Sequence, residues 1–192
     1  LFIMITPPKP TTQLLQQIIE VQHEIDGVIL RFDASDDEII RFINILCTQV
    51  DKDKLIVHNN PDVLLKCGLQ RIHFKEQNTL IKDFVSTFPN IQVSQSVHSI
   101  ESVKQAALLN LAFVLFGHVF PTPSKPNIAP QDPALVNRVL QCDIPVVALG
   151  GIDLSTIHDL NPAFDGFAGI RLFMNTQAFL AVKKEWLLRT IS

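Results

Sequence analysis

The chain lacks a basic surplus, a long apolar run, a paired-cysteine pattern and a glycine-rich nucleotide signature, and each absence closes off a class of protein. Lys and Arg number 16 against 19 Asp and Glu, for a formal net charge of −3. Binding to a phosphate backbone draws on a cationic excess, so nucleic acid is not an expected partner, while a small basic pocket for one phosphate stays open. Leu1 to Ile5 is apolar but too short for a bilayer span or a signal peptide and stops at Pro7 and Pro8, so it reads as a first strand, with no membrane partner. Cys47, Cys67 and Cys142 are odd in number, widely spaced and outside any C-x-x-C pattern, which fits reduced thiols and a cytoplasmic location. Neither G-x-G-x-x-G nor G-x-x-x-x-G-K-[ST] follows an early strand, which argues against an open doubly wound nucleotide-binding sheet.

What the chain has is a steady alternation. Hydrophobic residues make up 47% of its 192 positions and nothing marks a linker, so residues 1–192 read as a single domain. Short apolar strands are expected at 1–6, 27–32, 54–57, 71–74, 91–97, 112–116, 145–149 and 166–170. Between them, helical spacing or capping residues predict helices at 11–24, 35–50, 61–66, 78–87, 99–110, 132–141, 153–160 and 176–189. Ser35 followed by Glu38 is a capping box, and Pro61 and Gly68 suit the first turn and the end of the third helix. Eight strands each followed by a helix predict an α/β protein built as one compact (β/α)₈ barrel, with its site where strands run into the following loops. Those strand ends carry Thr6, Arg31, His58 with Asn59, His73 with Lys75, Ser96 with His98, Gly117 with His118, Gly150 with Gly151, and Arg171. The stretch from Ala112 to Pro130 stands out. An apolar strand ends at His118 and passes into a loop with Pro121, Pro123, Pro126, Pro130 and Lys125, too proline-rich for helix and long enough to cover a site.

At these strand ends the residues resemble a known family. Val97-His98-Ser99, Gly117-His118-Val119-Phe120 with Pro121-Thr122 and Ser124-Lys125, Val147-Ala148-Leu149-Gly150-Gly151-Ile152, and Asp165-Gly166-Phe167-Ala168 follow the order and spacing of the thiamin phosphate synthase/TenI family. Ile5-Thr6 and Leu30-Arg31 extend the resemblance to nearly the whole chain. It implies the same barrel and two alternative chemistries. Synthases of the family join a pyrimidine pyrophosphate to a thiazole phosphate with Mg²⁺, held by aspartates after strands three and four. Here Asn59 and either Gln77 or Asn78 stand at those places, and Asp33 replaces a basic residue. Synthases tend to have proline where this chain has His118, whereas TenI-type tautomerases use a histidine there to aromatise a carboxythiazole phosphate.

The resemblance therefore implies a thiazole tautomerase without metal or cofactor, acting on a small-molecule thiazole phosphate, with a homodimer as a plausible assembly. His118 is its expected acid/base, since an imidazole takes and returns protons near neutral pH. Arg31 and Lys125 are candidate cations for the carboxylate or phosphate, with Asn59, Ser96 and His98 as further substrate contacts. Backbone N–H groups of Gly150, Gly151 and the turn from Ile170 would cradle the phosphate, and Arg171, where the family usually has serine, would either add a contact or block the pocket. On this basis a bulky residue at 151 is expected to weaken phosphate binding and spare the fold. Three alternatives stand beside this reading: a synthase with its metal site rebuilt around Glu76 or Asp33, a regulatory barrel that binds without turnover, and a His118 that merely bonds a backbone carbonyl.

Overall fold

The computed structural model describes residues 1–190, so the last two positions of the expected domain, Ile191 and Ser192, lie outside the described residues. Eight parallel strands close into a barrel in sequence order: β1 Phe2–Ile5, β2 Gly27–Leu30, β3 Leu55–His58, β4 Arg71–Phe74, β5 Gln92–Val97, β6 Phe113–Gly117, β7 Val146–Leu149 and β8 Gly166–Gly169. Closure is made by β1 against β8, with Ile3 opposite Ala168. The expected fold is the observed one. The helices are α1 Thr12–Val21, α2 Asp36–Leu46, α3 Pro61–Cys67, α4 Ile81–Thr87, α5 Ile100–Leu108, α6 Pro133–Val139 and α7 Thr176–Thr190. Among the described residues no helix is long and apolar enough to cross a membrane.

The two-residue period of each strand divides its side chains between two cores. Ile3, Ile5, Ile29, Ile56, Phe113, Leu115, Val147 and Ala168 fill the barrel interior. Their neighbours, among them Met4, Val28, Leu30, Val57, Phe74, Val97, Phe116 and Phe167, pack outward with helix residues such as Leu14, Ile18, Ile43, Val103 and Phe179. No residue of β4 or β5 belongs to the interior apolar cluster. By alternation with outward Ile72, Phe74, Val93 and Val97, the inward positions there are Arg71 and Gln92 at the strand starts and His73, Ser94 and Ser96 above them.

Local signals set the element ends. Ser35 Oγ accepts from Glu38 N at 3.4 Å while Glu38 Oε2 accepts from Ser35 N at 3.0 Å, the capping box read from the sequence. Gly68 ends α3 at φ 62°, a left-handed conformation suited to glycine. One expected helix is missing. Residues 153–160 form only a 3₁₀ turn, Ile157–Asp159. Asp153 Oδ1 accepts from Ser155 N and Oγ at 2.8 and 2.6 Å, and Thr156 Oγ1 accepts from Asp153 N at 3.0 Å while donating to Gly151 O at 2.8 Å. These bonds cap a single turn as at a helix start and tie it to the end of β7, and the chain leaves the turn at Leu160 in an extended conformation, so no helix grows from it.

Candidate active site

His118 follows β6 directly, across a cis peptide from Gly117, and is 5% exposed. Its ring Nε2 lies 3.1 Å from the carbonyl of Ile128 in the proline-rich loop. Gln131 closes that loop, donating its backbone N–H to His118 O at 2.9 Å and its side-chain amide to Gly117 O at 3.1 Å. Lys125, half-buried in the loop, donates its N–H to Thr122 O at 3.0 Å. The carbonyl bond foreseen as the mundane role of His118 is thus present, and it engages only one of the two ring nitrogens.

Gly150 and Gly151 lie against this segment. Their φ values are +100° and +69°, and a Cβ on Gly150 would come within 2.4 Å of His118 Cβ. At Gly151 a Cβ would meet Pro121 O at 2.5 Å and Phe120 Cβ at 2.7 Å. The space beside both residues is filled by the chain itself, which corrects the expectation that a bulky residue at 151 would spare the fold. Among the described residues no turn, loop or side-chain bond is donated by the N–H of Gly150, Gly151, Ile170, Arg171 or Leu172. Arg171 is exposed and its Nη2 reaches Thr122 Oγ1 at 3.5 Å, joining the end of β8 to the loop after β6.

The other side of the mouth is built by β2 to β5. Arg31 is exposed at the end of β2, with its backbone N–H and carbonyl held by buried Thr6 Oγ1 at 2.8 and 3.0 Å. His58 and His73 face each other in register, their rings stacked at 6.2 Å, and His73 stacks in turn on Phe113 at 6.2 Å. His73 Nδ1 and Nε2 each lie 2.9 Å from a serine hydroxyl, Ser94 and Ser96 respectively. Burial, then His58, pushes His73 down to about 3; burial, then Arg31 and Lys75, pushes His58 down to about 4. Both rings are neutral at physiological pH. The mouth therefore sets arginine and lysine beside uncharged imidazoles, an environment for an anion.

Two of the oxygen donors that a metal like that of the family's synthases would draw on, Asn59 and Glu76, are engaged in turns. A pyrophosphate-bound Mg²⁺ takes hard, preferably anionic oxygens. Asn59 Oδ1 already accepts from Asn78 Nδ2 at 2.9 Å and Lys75 N at 3.3 Å. Glu76 Oε1 accepts from His98 N at 2.7 Å and Ser102 Oγ at 2.6 Å, and Oε2 pairs with His98 Nδ1 at 2.7 Å. Partial burial raises the Glu76 pKa, but the bonds from Ser102 and His98 outweigh it and hold the carboxyl below its usual range. Among the described residues no three His, Cys, Asp or Glu side chains gather as a metal-binding group. His98 is likewise committed to the turn before α5, where Ser99 Oγ caps Ser102 N at 3.1 Å.

Of the residues singled out from the sequence, His118, Gly150, Gly151 and Arg171 are linked through one loop, and Arg31 and Ser96 belong to the β2–β5 side. Asn59 and His98 serve turns. Ser94 and Gln131 were not anticipated: Ser94 lies inside β5 and Gln131 at the far end of the loop after β6, and nothing local marks either position. A cavity of about 370 Å³ opens at the opposite end of the barrel, lined by Leu140, Cys142, Pro145 and Asp165, but the strand-end histidines and arginines are not there.

The TMP-TENI family model, described as thiamine monophosphate synthase, matches residues 2–173. A putative thiamine-phosphate synthase 2 of Aquifex aeolicus is 32% identical over 130 residues, covering 66% of this chain and 69% of that protein. The thiamine-phosphate synthase of Pyrococcus horikoshii is 31% identical over 123 residues, covering 63% of this chain and 59% of its own length. Among solved structures, the thiamine phosphate pyrophosphorylase of Pyrococcus furiosus superposes with a TM-score of 0.80 at 19% identity, covering 100% of this chain and 96% of that one. The 3-keto-L-gulonate-6-phosphate decarboxylase of Vibrio cholerae has a TM-score of 0.71 at 12% identity, with 96% of both chains covered. At these identities the structural likeness speaks for the fold.

Proposed function

The chain belongs to the TMP-TENI family of thiamine monophosphate synthases, and on that premise we propose that it binds a thiazole phosphate at the barrel mouth and isomerises it, with His118 moving the proton that makes the ring aromatic. The observation that carries this reading is a buried imidazole at the end of β6, one nitrogen anchored and the other free, beside the backbone N–H groups at the ends of β7 and β8. Aromatising an exocyclic-alkene dihydrothiazole removes a proton from a ring carbon. The freed electron pair shifts through the ring and the exocyclic carbon gains a proton, so a single imidazole serves as base and then as acid. No oxidant is consumed. The N–H groups of Gly150, Gly151 and Ile170 to Leu172, with Arg171, would hold the phosphate, and Arg31 and Lys125 the carboxylate. A cytoplasmic setting, where free Cys47, Cys67 and Cys142 stay reduced, is part of the same reading.

A second reading, transfer of a pyrimidine from its pyrophosphate to the thiazole phosphate, is favoured by the names of the relatives, thiamine-phosphate synthases. The donor set argues against it, because Asn59 and Glu76 are engaged in turns. One pair of assays separates the two. His118→Gln should still bind thiazole phosphate while turnover falls by roughly 10²–10⁴, the usual contribution of a positioned acid/base, followed by thiazole ultraviolet absorbance in single turnovers. Wild-type turnover in a folded His118→Gln variant would overturn the isomerase reading, and coupling of pyrimidine pyrophosphate restored by Mg²⁺ after EDTA would establish the transferase.

A further inference from the structure

We propose that the nitrogen of His118 that exchanges the proton is Nδ1, and that the backbone carbonyl of Ile128 is the positioning group that holds the ring in the tautomer this requires. The proposal rests on the isomerase reading for its chemistry, but its structural half stands on hydrogen-bond logic. A carbonyl oxygen has no proton to give, so the 3.1 Å contact between His118 Nε2 and Ile128 O requires Nε2 to carry the hydrogen. In the neutral ring the lone pair is then on Nδ1. No described residue bonds Nδ1, and among the described residues no sealed-in side-chain nitrogen or oxygen lacks a partner. Nδ1 is therefore the open atom of a residue that is only 5% exposed.

The loop is built to deliver that carbonyl. Gln131 fastens its far end to His118 O and Gly117 O at 2.9 and 3.1 Å. Gly150 leaves no room on one side of His118, since a Cβ there would approach within 2.4 Å. Ile128 is 60% exposed as a residue, and it is its backbone carbonyl that has a partner in the site. Asn127, just before it, has a φ of 63°, a left-handed conformation that asparagine and glycine accept and a β-branched residue does not. When Nδ1 takes a proton, the Nε2–H to carbonyl bond becomes charge-assisted and strengthens, so the loop also stabilises the imidazolium. This is the role a third group plays in orienting a catalytic base, supplied here by a backbone carbonyl of the covering loop.

The test joins a spectrum to a pair of variants. In ligand-free protein labelled with ¹⁵N-histidine, with His118 assigned by its loss in His118→Gln, the expected signal is a single Nε2–H tautomer whose proton exchanges slowly with water. An Nδ1–H tautomer, or a rapidly exchanging mixture, overturns the assignment. Asn127→Val should displace the carbonyl, abolish the slow exchange and lower kcat by roughly ten- to a hundredfold with KM little changed, while Asn127→Gly restores both. An Asn127→Val protein that merely melts earlier, with kcat and the slow exchange intact, overturns the positioning role. The spectrum needs no substrate, so a wild-type protein with the slow Nε2–H signal and no turnover would overturn the isomerase reading while leaving the hydrogen bond established.

Discussion

A Cβ on Gly150 would lie 2.4 Å from that of His118, at a φ of +100° that residues with a Cβ rarely adopt. Gly150→Ala is accordingly expected to cost on the order of 1–3 kcal/mol of stability and to lower turnover with it, because relief of the clash moves His118. Urea titration and single-turnover rates on the same preparation check both; full turnover with an unchanged midpoint would show that the contact relaxes without consequence. Arg171 gives the opposite signature. It is exposed, and among the described residues its side chain reaches only Thr122 Oγ1, at 3.5 Å, so Arg171→Ala should leave the fold intact. If its guanidinium meets the substrate phosphate equally in ground and transition states, KM rises about tenfold while kcat holds. A lower KM in the variant would mean that Arg171 obstructs the mouth.

Among the elements, the loop after β6 is held at its base by Gln131, whose backbone and side chain both bond the His118 segment. Gln131→Ala removes the side-chain bond to Gly117 O, and hydrogen exchange at 119–131 faster than in wild type, with β6 unchanged, is the expected result; exchange equal to wild type would show that the backbone bond suffices. Glu76 organises a second junction, joining the turn after β4 to the start of α5 through His98 and Ser102. Glu76→Ala should lower stability by about 1–3 kcal/mol, read from the urea midpoint, and leave any Mg²⁺ response as it was. A Mg²⁺ requirement lost in that variant would instead mark Glu76 as a ligand. The capping box at Ser35 and Glu38 was legible because all its partners lie within four positions of sequence. The unformed helix at 153–160 was not, because the chain turns extended at Leu160 and Thr156 Oγ1 bonds Gly151 O, features seen only with the turn docked on β7.

For the whole barrel, the two neutral imidazoles between β3 and β5 set a pH dependence of stability. His58 at about 4 and His73 at about 3 both lie below the value near 6.5 of an unfolded histidine. As pH falls below about 6.5 the unfolded chain takes up protons that the barrel refuses, so stability declines, by at most about 1.4 kcal/mol per pH unit for each ring. The decline runs down to about 4 for His58 and continues to about 3 for His73, and it is absent above the unfolded value. Glu76, held below the usual carboxylate range, adds its own loss only at lower pH. Urea midpoints between pH 7 and 4.5 should show the slope, and His58→Asn should roughly halve it. A midpoint independent of pH across that window would contradict the burial of both rings as neutral groups.

The order of the strands and of seven of the eight expected helices, the closed barrel they imply and the placing of His118 at a strand end were determined by the sequence itself, because apolar period, caps and proline positions act within a few residues of one another. Strand register decided the rest. Pairing of His73 with Ser94 across β4 and β5 puts a histidine and two serines in one inward sector, where residues 21 and 23 positions apart share hydrogen bonds. Closure of the loop after β6 brings the Ile128 carbonyl to His118 and fills the space beside Gly151 with Phe120 and Pro121. The same closure turns a glycine pair that reads as open into one that is packed. Local pattern cannot encode such contacts, since they exist only once the barrel has closed and its separate loops have been carried to a common mouth.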